Sequence, residues 1–470
     1  MAKSSPLNPT RNRSRQNRAI IDPRSAALIV LDRVERGKAT LDAVLDDAAP
    51  KLTALSRRDR ALFNQLVYGV LRRRLRLDAV VAAYADRSLE KISPPILNIL
   101  RIGLFQILFM DRIPASAAVN TAVSLVRTRR ASKAAGFVNA LLRNALRAPH
   151  RFCIPDALES PVDHIAITHA FPHWLASRWI DRMGVAETDR LCAAINTTPP
   201  ITLRCNRLKN NLAELMKALS NQAETIEIVD TVPGGVNLIR PRVPIPEMEA
   251  FVDGRFAVQD GAAQLVSLLL GPQPGEAVLD ACAGLGGKAT HLAQLMGNQG
   301  TIVAMDNVDS KLARLENEAQ RLGVSIIRTR RADLNRSRPL KTQPRFDRIL
   351  LDAPCSGLGV LRRNPDTKWS SRQADIARLA NQQAHFLDHL APLVKKNGVL
   401  VFAVCSMEPE ENESVIKTFL KNHVNFAITG ANSMEEKTML PFLGEDGCLR
   451  TAPHIDHMDG FFAARLQRSR

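Results

Sequence analysis

From about residue 250 onward, short apolar runs alternate with stretches of helical period. This alternation restricts the fold more than any other feature of the 470-residue chain. The runs occupy residues 277–280, 301–305, 325–328, 348–351 and 399–404, and helix-like stretches such as 311–321 and 371–390 lie between them. Apolar runs of this length suit buried strands, and the helical stretches suit crossovers between them. The pattern predicts a mostly parallel α/β sheet with helices on both faces. Open sheets of that kind bind ligands outside the carboxyl ends of their strands. The residues that follow each run are therefore the ones to read for chemistry.

The first run leads into Val278-Leu279-Asp280-Ala281-Cys282-Ala283-Gly284-Leu285-Gly286-Gly287-Lys288, which reads as strand, glycine-rich turn and helix start. Glycine lets a backbone approach a ligand closely, and the helix beyond presents free N–H donors. This is not the Walker phosphate loop, because Ala289 follows Lys288 where Ser or Thr is required. The second run ends at Asp306, about 20 residues past the glycine turn, where an acid can accept both hydroxyls of a ribose. A lone strand-end Asp is more often a turn former, and the pairing with the glycine turn shifts the reading toward a nucleoside. Asp333 follows the third run and suits either an adenine amino group or a structural loop.

The fourth run ends in Asp352-Ala353-Pro354-Cys355-Ser356-Gly357 and the fifth in Cys405-Ser406. A free cysteine is ordinarily apolar filler, and Cys153, Cys192, Cys205 and Cys448 read that way. Cys282 reads as packing plus backbone contact in the glycine turn. Two Cys-Ser pairs at two strand ends, one beside an Asp-x-Pro turn, are harder to explain as filler. Methylation of a cytosine at carbon 5 needs such a set, because that carbon is a poor nucleophile. Thiolate attack at carbon 6 gives an enamine-like adduct whose carbon 5 takes a methyl group. A proton or hydrogen bond at ring nitrogen 3 assists the addition, and a base then removes the carbon 5 proton so that the thiol leaves. That is nucleophilic catalysis with acid–base support. Asp352 can serve ring nitrogen 3, and Cys355 and Cys405 can divide attack and release. The nucleoside-type pocket would supply S-adenosylmethionine. The residues alone leave open which cysteine attacks.

The front of the chain is different. Residues 1–150 hold 27 Lys/Arg against 11 Asp/Glu, a net of +16 out of +17 for the whole chain. Residues 151–470 hold 37 against 36. A polyanionic partner at the front end follows from that asymmetry. Residues 1–18 are polar and basic and read as a solvated tail. Over 19–150, apolar residues recur at helix spacing, as in Leu62, Leu66, Val67, Val70 and Leu71. Ser93-Pro94-Pro95 reads as a helix start with Ser93 as N-cap, and 117–127 and 136–147 read as further helices. Arg72, Arg73, Arg74, Arg127, Arg129, Arg130 and Lys133 near helix ends suit phosphates or simply form solvated faces. Prolines and Gly234-Gly235 punctuate 151–249, which reads as a small α+β connector, with 250–470 as the catalytic domain.

No Cys-x-x-Cys pair occurs, which argues against a zinc site and a disulfide-stapled domain. No run approaches the ~20 apolar residues of a membrane span, and no secretion signal is visible. The expectation is a monomeric cytoplasmic protein with neither metal nor membrane. Two tyrosines leave little room for base stacking on aromatics as a theme.

At these residues the chain closely resembles the Nop/Sun family of RNA 5-methylcytosine methyltransferases. The matching blocks are Val258-Gln259-Asp260 with Ala263-Gln264-Leu265, the 278–288 turn, Asp306, Asp333, Asp352 through Gly357, Cys405-Ser406 with Pro409-Glu410-Glu411-Asn412-Glu413, and Asp459-Gly460-Phe461-Phe462. Earlier blocks are similar to the RNA-binding helical fold of the antitermination factor NusB: Arg101-Ile102-Gly103-Leu104-Phe105-Gln106, Asp111-Arg112-Ile113-Pro114, Ala118-Val119-Asn120 and Phe137 through Arg143. Pro172-His173-Trp174-Leu175 and Pro199 through Asn206 resemble the small connector of one branch. The resemblance spans about residues 19–465. It implies an all-α NusB-like domain, an α+β connector and a Rossmann-like class I methyltransferase domain acting on a cytosine of small-subunit ribosomal RNA. It also implies that Cys405 is the nucleophile and that Cys355 assists release. Cys282, Ala283, Gly284, Leu285, Gly286, Gly287, Lys288, Asp306, Asp333 and Asp352 would contact S-adenosylmethionine or organise its pocket. Leu285 stands where the family usually has proline, and Ala403-Val404 replaces a more polar pair.

Other classes predict other residues. A non-catalytic RNA-binding assembly factor would have lost cofactor or nucleophile residues, and this chain keeps them. An amino-group methyltransferase needs an aromatic after the Asp-x-Pro proline, where Cys355 stands. A DNA cytosine methyltransferase would carry its attacking cysteine in the Pro-Cys turn alone. A carbon 5 methyltransferase acting on another RNA fits the same residues.

Overall fold

A computed structural model of the protein describes residues 22–37, 39–128, 132–336, 345–430 and 436–469. The expected basic tail at 1–18 and the pair Arg129 and Arg130 lie outside the described residues. The chain divides between Cys153 and Ile154 into two compact units. No helix among the described residues is long and apolar enough to cross a membrane.

The first unit is helical: α1 (Pro23–Glu35), α2 (Leu41–Leu52), α3 (Arg57–Tyr84), α4 (Pro94–Phe109), α5 (Ala115–Thr128) and α6 (Ala135–Arg147). Helix α4 is the central one. Every residue from Ile96 to Gln106 on it is buried, and it packs against α1, α3, α5 and α6. A helix buried on all sides must satisfy its polar residues internally. Arg101 does so by reaching both Asp78 oxygens, at 2.7 and 2.8 Å, and Glu35 Oε2 at 3.1 Å. Ser93 occupies the N-cap position of α4, but its side chain makes no capping hydrogen bond. The helix start rests instead on Pro94 and Pro95, whose fixed φ suits the first turn.

The second unit begins with three helices, α7 (Pro161–His169), α8 (His173–Met183) and α9 (Val185–Ile195). A four-stranded antiparallel sheet follows, built from β1 (Ile201–Cys205), β2 (Ala223–Val229), β3 (Gly235–Pro241) and β4 (Phe256–Val258) in the order β2-β3-β1-β4. The large sheet holds β5 (Ala277–Asp280), β6 (Thr301–Asp306), β7 (Ile327–Arg331), β8 (Phe346–Asp352), β9 (Val394–Val404), β10 (Phe426–Ile428), β11 (Leu449–Thr451) and β12 (Phe461–Arg468). Its order is β10-β12-β9-β8-β5-β6-β7, with β11 on β12. Strands β5 to β9 run parallel, while β10, β11 and β12 pair antiparallel. The chain steps outward from β5 to β7, then returns to β8 on the other side of β5. A topological switch point therefore lies between the carboxyl ends of β5 and β8, where open α/β sheets place their ligands.

Alternate residues of the central strands feed the two faces. Val278, Leu350, Val401 and Ala463 pack with helices Gly261–Leu270 and Gly287–Leu295. Leu279, Ile349, Leu351, Phe402 and Phe462 pack with helices Gln373–Leu390 and Glu413–Asn422. The third strand starts at Ile327 and runs to Arg331, later than its apolar residues suggest. It is an exposed edge strand, and its Ile-Arg-Thr-Arg-Arg sequence carries little apolar signal.

Candidate active site

The glycine turn joins β5 to helix Gly287–Leu295 and is fastened to the end of β6. Ala283 N–H donates to Met305 O at 2.8 Å, Gly284 N–H to Asp306 Oδ2 at 3.0 Å, and Val308 N–H to Asp306 Oδ1 at 2.9 Å. Asp306 thus holds the turn while lone pairs remain on its carboxylate. Gly286 has φ +84°, and a Cβ there would overlap Leu315, so only glycine fits. Leu285 is exposed at the tip of the turn. Gly287 opens the helix, and its carbonyl accepts from Arg204 Nη1 at 2.7 Å. Arg204 comes from β1 and is fully buried. It also donates to Thr290 Oγ1 (3.0 Å), Gln294 Oε1 (3.2 Å) and Gln259 Oε1. None of these partners is a carboxylate, and burial pulls the guanidinium down to about 9.

Lys288 Nζ donates to Asp352 Oδ2 at 2.6 Å and lies 5.3 Å from the centre of the Phe461 ring. Burial acts to lower the lysine's pKa, but the Asp352 carboxylate more than offsets it, and the net direction is upward. Asp280 is fully buried, and neither of its oxygens has a hydrogen-bond partner. Burial first, and the neighbouring Asp352 second, push it up to about 7. Burial likewise pushes the Cys282 thiol far up, so Cys282 is a neutral packing group under the turn. Asp333 lies two residues beyond β7. It bonds within its own loop, accepting from Asn335 N (3.0 Å) and Nδ2 (2.9 Å), rather than with Asp306 or Lys288.

Asp352 ends β8 and Cys405 follows β9, its parallel neighbour. Adjacent parallel strands bring the two Cys-Ser turns side by side, and Cys355 Sγ stands 3.3 Å from Cys405 Sγ. The hydrogen bond to Cys405, and then burial, push the Cys355 thiol well above its ordinary range. Either sulfur can donate in this contact, so the pair can share a single proton. Beneath them Ser356 Oγ and Ser406 Oγ lie 3.2 Å apart, and each donates to Glu411 Oε2 at 2.5 Å. Ser356 N–H donates to Glu411 Oε1 at 2.8 Å and Gln383 Nε2 to the same oxygen at 3.2 Å.

Other resemblance blocks have structural work near the site. Asp260 caps helix Gly261–Leu270 through Ala262 N–H at 2.9 Å, and Arg363 spans Asp260 Oδ2 and Asp459 Oδ2, both at 2.7 Å. Gly359 and Gly460 pack backbone to backbone, and Gly359 N–H donates to Cys405 O at 3.0 Å. Arg178 and Trp179 of α8 bond Glu408, the latter at 2.9 Å, which ties the connector to the loop after Cys405. A cleft of about 570 Å³ opens beside Ser406 and Met407, and no glycine-turn residue lines it. Among the described residues no cluster of His, Cys, Asp and Glu could hold a metal.

The buried polar groups around the site whose partners the sequence did not disclose are Arg204, Asp280, Gln383 and Glu411. Arg204 stood within the matching block at 199–206 but carried no sign that it is buried beneath the glycine turn. Glu411 stood within the matching block at 409–413 but carried no sign of its partners.

The sequence profile of the 16S rRNA methyltransferase RsmB/F family matches residues 267–467. The NusB family profile matches 21–147, and that of the ferredoxin-like domain of RsmF/B-like methyltransferases matches 171–245. The chain is 36% identical to the "Probable ribosomal RNA small subunit methyltransferase B" of Synechocystis, over 96% of this chain and 100% of the relative. It is 35% identical to the "Ribosomal RNA small subunit methyltransferase B" of Pseudomonas syringae, over 85% of this chain and 87% of the relative. Among solved structures, PH0851 matches with a TM-score of 0.79 at 26% identity, covering 95% of this chain and 99% of that one. A methyltransferase homolog protein from Pyrococcus horikoshii matches with a TM-score of 0.55 at 28% identity, covering 65% of this chain and 97% of that one.

Proposed function

Because the chain belongs to the 16S rRNA methyltransferase RsmB/F family, we propose that it methylates carbon 5 of a cytosine in small-subunit ribosomal RNA through a covalent Cys405–cytosine adduct, with S-adenosylmethionine as donor. The observation that carries this reading is the pair of thiols 3.3 Å apart at the ends of two adjacent parallel strands. The contact with Cys405 and burial hold the Cys355 thiol well above its ordinary range, so Cys355 keeps its proton, and we take Cys405 as the attacking sulfur. Cys405 Sγ attacks carbon 6 of the ring. Asp352, which accepts from Lys288 Nζ, faces ring nitrogen 3 and as a carboxylate pairs with that nitrogen in its protonated form, the form that eases the addition. After transfer a base takes the carbon 5 proton, the C–H electron pair reforms the 5,6 double bond, and Cys405 leaves as thiolate, with Cys355, 3.3 Å away, assisting that release.

S-adenosylmethionine supplies an electrophilic methyl sulfonium when bound. The fit of this chain to it rests on the open space beside Gly284 in the turn, and on Asp306 at the end of β6, whose carboxylate holds the Gly284 N–H and keeps lone pairs for a ribose. Residues Cys282 to Lys288, Asp306 and Asp352 would hold it, with Asp333 at the adenine end. In this reading 19–150 is a NusB-like RNA-binding domain, 151–249 a connector and 250–470 the methyltransferase domain. A base inside a helix must be flipped out to reach a thiol in a cleft.

The test is to incubate the protein with small-subunit rRNA and labelled S-adenosylmethionine and to identify the modified nucleoside by mass spectrometry. The expected product is 5-methylcytidine. A product methylated on the exocyclic amine or on ribose contradicts the reading.

A further inference from the structure

We propose that Glu411 is a positioning residue that clamps the two thiol turns together and sets the distance between Cys355 and Cys405. The inference rests on the covalent reading above and adds the residue that organises its chemistry. Glu411 is wholly buried, and its two oxygens accept four hydrogen bonds. Two come from Ser356 (N–H at 2.8 Å, Oγ at 2.5 Å), one from Ser406 Oγ at 2.5 Å and one from Gln383 Nε2 at 3.2 Å. Ser356 directly follows Cys355 and Ser406 directly follows Cys405, so a single carboxylate holds both cysteine turns from below.

Gln383 also donates to Pro354 O at 3.0 Å, which fixes the other side of Cys355. Ser406 Oγ accepts from Glu408 N–H at 3.2 Å, which leaves its own proton for Glu411. A buried carboxylate is costly unless its acceptor sites are filled, and here three of the four bonds come from the two turns that carry the thiols and the fourth from Gln383. The serine of each Cys-Ser pair thereby acquires a reason: each is the handle by which Glu411 holds its cysteine. The negative charge of Glu411 also contributes to keeping the Cys355 proton in place. A displacement of about 1 Å at a reacting group can cost about 100-fold in rate, which is the scale expected for loss of the clamp.

The experiment compares wild type with Glu411→Gln, and with Glu411→Asp as the conservative rescue. Methyl transfer gives kcat and KM, and iodoacetamide labelling mapped by mass spectrometry gives a pH profile for each thiol. The expected result is a kcat about 100-fold lower for Glu411→Gln, with KM for S-adenosylmethionine unchanged. The Cys355 labelling profile should move to lower pH, and Glu411→Asp should lie between the two. A kcat within twofold of wild type overturns the proposal. So does a labelling profile that is unmoved at both thiols, whatever kcat does. If Glu411→Gln does not fold, the Ser356→Ala/Ser406→Ala double variant removes the two hydroxyl arms and is held to the same outcomes. Full turnover by Cys405→Ala would overturn the covalent reading instead, and would leave the labelling result to judge the clamp by itself.

Discussion

Asp280 stands among Asp352, Asp306 and Lys288 without a hydrogen bond of its own, and burial pushes it up to about 7. An unfolded aspartate titrates near 3.9, so between about pH 4 and pH 7 the folded protein binds more protons than the unfolded one. Stability therefore falls as pH rises through that window and is level on either side of it. Three pH units correspond to about 4 kcal/mol as an upper bound. Asp280→Asn is expected to remove this term. Urea unfolding at about pH 5 and pH 8 should show a smaller loss for the variant than for wild type, and equal losses would contradict the burial account. A second prediction at this scale concerns Cys355→Ala. It is expected to slow release and accumulate a protein–RNA adduct, seen as a slow band on a denaturing gel, and absence of that band contradicts the release role. The candidate residues that the structure gathers at the strand ends were legible because cysteine, aspartate and glycine there are unusual enough to be read one at a time. Glu411 and Arg204 were not, because their meaning lies in partners far along the chain: Glu411 meets Ser356 from 55 positions away, and Arg204 meets Gly287 from 83.

The turns and strands decide where those residues stand. Strands β5, β6, β8 and β9 were visible as apolar runs because a strand buried on both faces has no polar side to interrupt it. The antiparallel strands β10, β11 and β12 were hidden. Phe426–Ile428 and Leu449–Thr451 are three residues each, and of Phe461–Arg468 only Phe461-Phe462 stood out, as the end of a motif. Only pairing of Phe462 with Val404 through Gln467 with Val399 makes the last of these a core strand. The connector sheet was equally hard to read, since its β2 exposes most of its residues. The two glycines of the turn after β5 give a matched test. Gly286→Ala meets both a positive φ and an overlap with Leu315, whereas Gly284→Ala at φ +56° meets nothing within 4 Å. Gly286→Ala is expected to cost about 2–3 kcal/mol and to weaken S-adenosylmethionine binding at least about tenfold. Gly284→Ala is expected to cost about 1 kcal/mol from backbone strain alone. Thermal unfolding and calorimetry measure both, and equal losses for the two variants would contradict the geometry.

At the level of the whole molecule, charge divides the labour. The first 150 residues carry a net of +16, and α3 presents Arg72, Arg73 and Arg76 within little more than one turn. Arg73 and Arg76 both lie over the Phe109 ring, at 5.4 and 5.7 Å from its centre, which leaves their charged heads clustered. Binding to phosphates releases counterions, so rRNA affinity should fall steeply with salt. Replacing Arg73 and Arg76 by Gln is expected to lower the slope of log K against log salt by about one for each phosphate no longer neutralised, measured by filter binding. An unchanged slope would place the phosphate-binding residues elsewhere. The central claim is that a sulfur at position 405 bonds to the base before the methyl arrives. Single-turnover methyl transfer to small-subunit rRNA by wild type and by a folded Cys405→Ala tests it most directly. The account predicts transfer by the wild type and a rate at least about 1000-fold lower for the variant. Equal rates would contradict it.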